Sequence, residues 1–184
     1  MSLFNNNYPT YYEAIAQLYE TFLEWSHYSA TFIGFNSVSF DEPFLRQAFY
    51  QNLMPELYMT VTNKNLRMDV FEILRLVSVF HPEHIRVNKD DKGHAILKLE
   101  NIVAANDIKV HYDAGPHDAV FDALVTLEVN KILSTRCPKI WEAALNFRKR
   151  DYPKNFMLEN TVFTNLTFWG RRPSIKAQTL IGGV

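Results

Sequence analysis

A chain of 184 residues, 47% hydrophobic and 21% charged, suits one domain or one domain plus a piece of another. Its formal charge of −1 hides an asymmetry. From Arg148 onward seven basic residues face two acidic ones, a local +5 beside an acidic body, so contact with a polyanion is open. Cys137 is the only cysteine, which excludes an internal disulfide and fits a reducing, cytoplasmic setting. No run of about 18 apolar residues and no secretory pattern is found, so no membrane partner is expected.

In chain order, "TYYEAIAQLYETFLEW" predicts an amphipathic helix with Tyr11, Ile15, Leu18, Phe22 and Trp25 on one face. "ATFIGF" predicts a short buried strand. A helix is expected to start near Asp41 or Glu42, with Pro43 in its first turn and Phe44, Ala48 and Phe49 on its apolar side. "MDVFEILRLVSVF" is helical, "HPEHIRVNKDDKGHA" is a polar loop, and "LKLENIVAAN" resumes helix. "AGPHDAVFDALVTLEV" predicts a helix whose inward stripe is Val120, Leu124 and Leu127, with Phe121 beside it. One more helix spans "PKIWEAALNFRKR". After Asp151 the β-branched and aromatic runs "ENTVFTNLTFWG" and "IKAQTLIGG" read as strands, which sets a domain boundary near residue 150 and two parts, 8–150 and 151–184.

Two short segments carry chemistry. In "GFNSVSFDEPFLRQAF", Asp41 follows a loop that leaves the end of a strand, where α/β folds commonly place ligands; a helix cap is the plain alternative. His117 and Asp122 crowd the start of an apolar helix that requires neither. Each has an ordinary reading as a solvated entry residue or a surface charge. Elsewhere, His81 and His84, with His94 and His111 nearby, suggest zinc, but the spacing fits no common motif and a polar loop is the better account. Phe40, Phe44, Phe49 and Tyr50 suit base stacking or, more simply, a core face. Arg148-Lys149-Arg150 and Arg171-Arg172 suit phosphate contacts or a solvated junction. Lys98 has no assigned role.

Taken together, the segments resemble the DEDDh-type 3′→5′ exonucleases, and among them the bacterial exonuclease I type. Gly34-Phe35-Asn36 followed by Phe40-Asp41 matches the family's second motif, and His117-Asp118-Ala119 with Asp122 matches the third. Between them, Arg67, Asp69 and Arg75 match an R-x-D-x-x-x-x-x-R segment, while Leu99, Ala105, Asn106 and Ile108 match an L-x-x-x-x-x-A-N-x-I stretch. The resemblance covers roughly residues 11–148. It implies an α/β, RNase H-like exonuclease fold, helix-rich and truncated at its N-terminal strands. The region around "FWGRRPS" resembles the start of an SH3-like domain.

The implied activity is hydrolysis of single-stranded DNA by two-metal catalysis with Mg2+ or Mn2+. By resemblance, Asp122 binds metal directly, Asp41 helps to hold the second ion, and His117 is the base. Asn36, Phe40, Arg148, Arg171 and Arg172 meet the nucleic acid. The family's first motif, D-x-E, has no match. In "LYETF" Leu18 stands where the aspartate is needed, and Glu20 lies only 21 residues before Asp41 on the polar side of its helix. The expectation is a partial catalytic domain, weakly active or inactive alone, with a sheet edge open to self-association. A non-catalytic module that binds nucleic acid or protein is the alternative.

Overall fold

The computed structural model describes residues 8–111, 118–160 and 162–178. The chain divides into two compact units, one ending at Arg67 and the next beginning at Met68. It is a helix-rich mixed α/β protein, and its described strands form three two-stranded sheets.

The first unit opens with α1 (Tyr11–Ser26). Thr10 caps it in a reciprocal box: its hydroxyl accepts the Glu13 N–H at 3.3 Å, and the Glu13 carboxylate accepts the Thr10 N–H at 2.8 Å. A strand β1 (Thr31–Gly34) leads to α2 (Asp41–Gln51), as the sequence predicts. β1 pairs with β2 (Leu66–Asp69), with the Leu66 N–H donating to the Ala30 carbonyl at 3.0 Å.

The inward face of α1 differs from the predicted one. Tyr11, Leu18 and Trp25 are exposed, and the core of the unit is Tyr19, Phe49 and Met59, packed with Ile15, Phe22, Leu23 and Leu45. Both stripes satisfy three- and four-residue steps and share Ile15 and Phe22, so spacing alone does not choose between them. Tyr19 can be buried because its hydroxyl accepts the Glu56 N–H at 3.2 Å. Its ring meets Phe49 edge-on at 5.2 Å. β1 is half-buried rather than buried: Phe32 stacks on Phe22 at 4.8 Å, while Ile33 faces outward.

In the second unit, α3 (Val70–Phe80), α4 (Leu99–Asn106) and α6 (Pro138–Phe147) pack on α5 (Ala119–Arg136). The core between them includes Val70, Leu74, Val77, Ile85, Ile102, Val125, Val129 and Leu133. Again the helical stripe is turned: Val120 and Leu127 of α5 are about half exposed, and the buried line runs through Val125, Thr126, Val129, Asn130 and Leu133. Helices flank α5 on several sides, so its apolar residues are spread around it.

The segment 81–95 is more ordered than a polar loop. Its end forms a hairpin of β3 (Asn88–Lys89) and β4 (Ala95–Ile96), closed by a turn in which the Asp90 carboxylate accepts the N–H groups of Lys92 and His94 at 3.0 and 2.9 Å. Gly93 supplies the positive φ of +79° that the turn requires.

After residue 151 a helix precedes the strands. α7 (Tyr152–Glu159) places Tyr152 and Phe156 against Phe147, at ring distances of 5.2 and 5.1 Å, with Pro153 in its first turn. A β-rich reading of this stretch overlooked that four-residue aromatic spacing. β5 (Phe163–Trp169) and β6 (Arg172–Gln178) then form a hairpin in full register across the turn Gly170-Arg171. No described helix is long and apolar enough to cross a membrane.

Candidate active-site residues

The loop from β1 into α2 is tightly folded, and its residue types have local reasons. A Cβ on Gly34 would collide with the Ser37 side chain. Asn36 sits at φ +58°, a left-handed conformation that Asn tolerates better than most residues. The Phe40 N–H donates to the Asn36 carbonyl at 3.2 Å, and the Glu42 N–H donates to that of Ser37 at 2.9 Å. Phe40 takes the cap position of α2 without a side-chain cap bond. Asp41 is therefore the first helical residue rather than the cap, and it is exposed.

Its neighbour Glu42, which sequence reasoning missed, holds this helix start. Glu42 is only 6% exposed, and its Oε2 accepts Arg67 Nη1 at 2.7 Å, Thr60 Oγ1 at 3.2 Å and Arg46 Nη1 at 3.3 Å. The Arg46 guanidinium also lies over the Tyr58 ring. The inward line of α2 is thus Glu42, Leu45 and Phe49. Phe40, Phe44 and Tyr50 face outward, against the core reading, and only Phe49 of those four aromatics is buried. The Phe40 and Phe44 rings lie 4.9 Å apart, each about three-fifths exposed, on either side of Asp41 in sequence.

A similar division marks the start of α5. Asp118 is the cap, accepting the N–H groups of Val120 and Phe121 at 3.0 and 3.1 Å. Asp122, half-buried, lies three and four residues before Val125 and Thr126 and so begins the inward stripe. Among the described residues no hydrogen bond or ion pair occupies its carboxylate. His117 lies outside the described residues. Asp41 belongs to the first unit and Asp122 to the second. The half-buried Asp122 carboxylate is an oxygen donor of the kind a hard cation takes.

The intervening motif residues are largely scaffolding. Arg67 serves Glu42, and Asp69 caps α3 by accepting the Phe71 N–H at 3.1 Å. Arg75 pairs with Glu72 at 2.9 Å and lies over the Phe168 ring at 4.0 Å. The Asn106 amide brackets Arg86, accepting its N–H at 3.0 Å and donating to its carbonyl at 2.8 Å.

Of the basic residues, Arg148 ends α6 with its Nε on the Leu145 carbonyl at 2.8 Å. Arg171 lies 3.4 Å from Asp90 Oδ2, and Arg172 is exposed at the start of β6. The Asp90 carboxyl is held below its ordinary range, chiefly by the His94 N–H, with Lys92, His94 and Arg171 adding to the effect. Lys98 makes a surface pair with Glu100.

Exodeoxyribonuclease I of Buchnera aphidicola (subspecies Schizaphis graminum) is 30% identical over 119 residues, 65% of this chain and 24% of that protein. The exonuclease I structure from Methylocaldum szegediense superposes with a TM-score of 0.69 at 27% identity, covering 82% of this chain and 30% of its own. The chain is close to exonuclease I. Escherichia coli exonuclease I in complex with a dT13 oligonucleotide gives a TM-score of 0.68 at 26% identity, covering 79% of this chain and 30% of that one. The chain spans about a quarter of the length of the curated exonuclease I relatives it matches. No protein-family model matches it.

Proposed function

We propose that this chain is a partial catalytic domain of a 3′→5′ exodeoxyribonuclease acting on single-stranded DNA. The likeness to exonuclease I in sequence and fold is the observation that carries this reading. The RNase H-like and SH3-like assignments, and the division near residue 150, belong to the same proposal.

In it, the carboxylates of Asp41 and Asp122 hold Mg2+ or Mn2+. When bound, the ions supply positive charge at the scissile phosphate and lower the pKa of a bound water. His117 takes the proton of the attacking water, a role that imidazoles serve near neutral pH. Phe40, with Phe44 beside it, offers a stacking face to a base, and Asn36 shapes the approach. Arg148, Arg171 and Arg172 meet phosphates, and Arg171 exchanges Asp90 for that contact.

No D-x-E occurs in this sequence, and Glu20 of "LYETF" is exposed on α1. Asp41 and Asp122 alone are fewer anionic ligands than two-metal hydrolysis uses, so this chain cleaves DNA poorly or not at all. The same observation favours a second reading, a non-catalytic module that binds nucleic acid or a protein.

A labelled single-stranded oligonucleotide with Mg2+ tests both. Salt-dependent binding is expected, weakened roughly five- to hundredfold by Phe40→Ala, with trace release of mononucleotides. Absence of binding at low salt overturns the nucleic-acid readings. Rapid metal-dependent release abolished by Asp122→Ala overturns the assignment of low activity. An upstream D-x-E in the parent reading frame favours the enzyme over the binding module.

A further inference from the structure

His81, Glu83 and His84 occupy the turn between α3 and β3, and contacts from outside the turn fix its shape. Ile85, immediately after it, is fully buried. Arg136 Nη1, from the end of α5, donates to the His84 carbonyl at 3.1 Å, and Asn106 brackets the backbone of Arg86. Within the turn, the His84 N–H donates to the His81 carbonyl at 3.1 Å. The three side chains then converge on one oxygen. Glu83 Oε1 lies 3.2 Å from His81 Nδ1 and 3.5 Å from His84 Nε2. One ligand atom from each residue falls within 4.8 Å of the other two.

Those separations have a chemical meaning. A tetrahedral zinc ion with bonds near 2.0–2.1 Å keeps its ligand atoms about 3.3–3.4 Å apart. Two of the three edges of such a face are already close to that length. The competing account is a surface pair of imidazoles hydrogen-bonded to a carboxylate, with no metal.

We infer that His81, Glu83 and His84 form a binding site for a divalent transition-metal ion of the zinc type, distinct from the residues assigned to nuclease chemistry. Two imidazoles and one carboxylate suit zinc, nickel or copper, whereas Mg2+ and Ca2+ favour oxygen throughout. Three protein ligands leave a coordination position for water. An ion here ties the C-terminal end of α3, where His81 is the cap, to the turn before β3. It therefore stabilises the folded chain by linkage.

Titration of Zn2+ into the full chain, followed calorimetrically, tests the site. One ion per chain is expected, retained in the Asp41→Ala/Asp122→Ala double variant. Its affinity falls tenfold or more in His81→Ala and in His84→Ala. Glu83→Gln, which keeps size and hydrogen bonding, should lose a comparable factor, and circular dichroism checks that each variant folds. Substituted Co2+ should show the strong visible absorption of a low-coordinate site. Unchanged Zn2+ affinity in both histidine variants overturns the inference, as does loss of binding in the aspartate double variant instead. The first result leaves the nuclease reading untouched, and the second would place the ion on the carboxylates which that reading assigns to metal.

Discussion

The starts of α2 and α5 present the same problem with opposite solutions. Each carries two acidic residues within five positions; in each, one acid holds the helix start through its donors, and the other is the one proposed to hold metal. At α2 the structural acid is Glu42, buried on three donors, and the remaining one is Asp41, exposed. At α5 the structural acid is the cap, Asp118, and the remaining one is Asp122, both of them half-buried. An acid that satisfies backbone or guanidinium donors improves folding, as Glu42 and Asp118 do.

The largest break in this comparison is expected at Glu42. Replacing it with Ala leaves Arg67 and Arg46 without their shared carboxylate. Loss of a fully buried partner costs about 3–5 kcal/mol. The two arginines are 40% and 28% exposed, so water recovers part of that, and about 2–3 kcal/mol is expected in denaturant unfolding. Asp41→Ala, at the exposed first turn one residue away, should cost less, about 1 kcal/mol or below. Equal costs at the two positions would dissolve the distinction at α2.

At α5 the contrast has the same direction and is smaller. Asp118→Ala removes a cap that serves two N–H groups and should cost about 1 kcal/mol. Asp122→Ala removes a half-buried carboxylate that satisfies no donor among the described residues, so stability should hold or rise. The same variant should weaken Mn2+ binding measured by paramagnetic resonance, whereas Asp118→Ala should leave it unchanged. A destabilised Asp122→Ala that still binds Mn2+ would make Asp122 a structural residue.

These assignments also show how far the sequence could be read. Spacing located α1, α2 and α5 because apolar periodicity and caps are local signals. It did not orient α1 or α5, because alternative stripes share residues and only the tertiary packing around Tyr19 or Val129 decides between them. The motif residues were visible as a pattern, but the pattern mixes two kinds of residue. Arg67, Asp69, Asn106 and Asp118 serve the scaffold, and their partners lie up to 25 positions away in the sequence. Glu42 was missed for that reason: nothing local marks a glutamate as buried when two of its three donors arrive from positions 60 and 67. His81, Glu83 and His84 were read as a polar loop because their convergence depends on Arg136 and Asn106.

A third helix start supplies the smallest effect and the control. At α1 the capping box is legible in the sequence as Thr10 followed by Glu13, and here one acid does the structural work in full view of water. The Thr10 N–H, then its hydroxyl, hold the Glu13 carboxyl below the ordinary glutamate value. A depressed folded value means that the contribution is complete above the unfolded pKa and is lost as pH falls through the folded one. Melting profiles of the parent and Glu13→Gln should therefore differ at neutral pH and converge in acid, below about pH 4. Profiles that stay parallel through that range would show that the charge on Glu13 contributes nothing to the cap. The amide oxygen of a glutamine would then serve equally well at this cap, and the hydrogen bond rather than the charge would hold the start of α1.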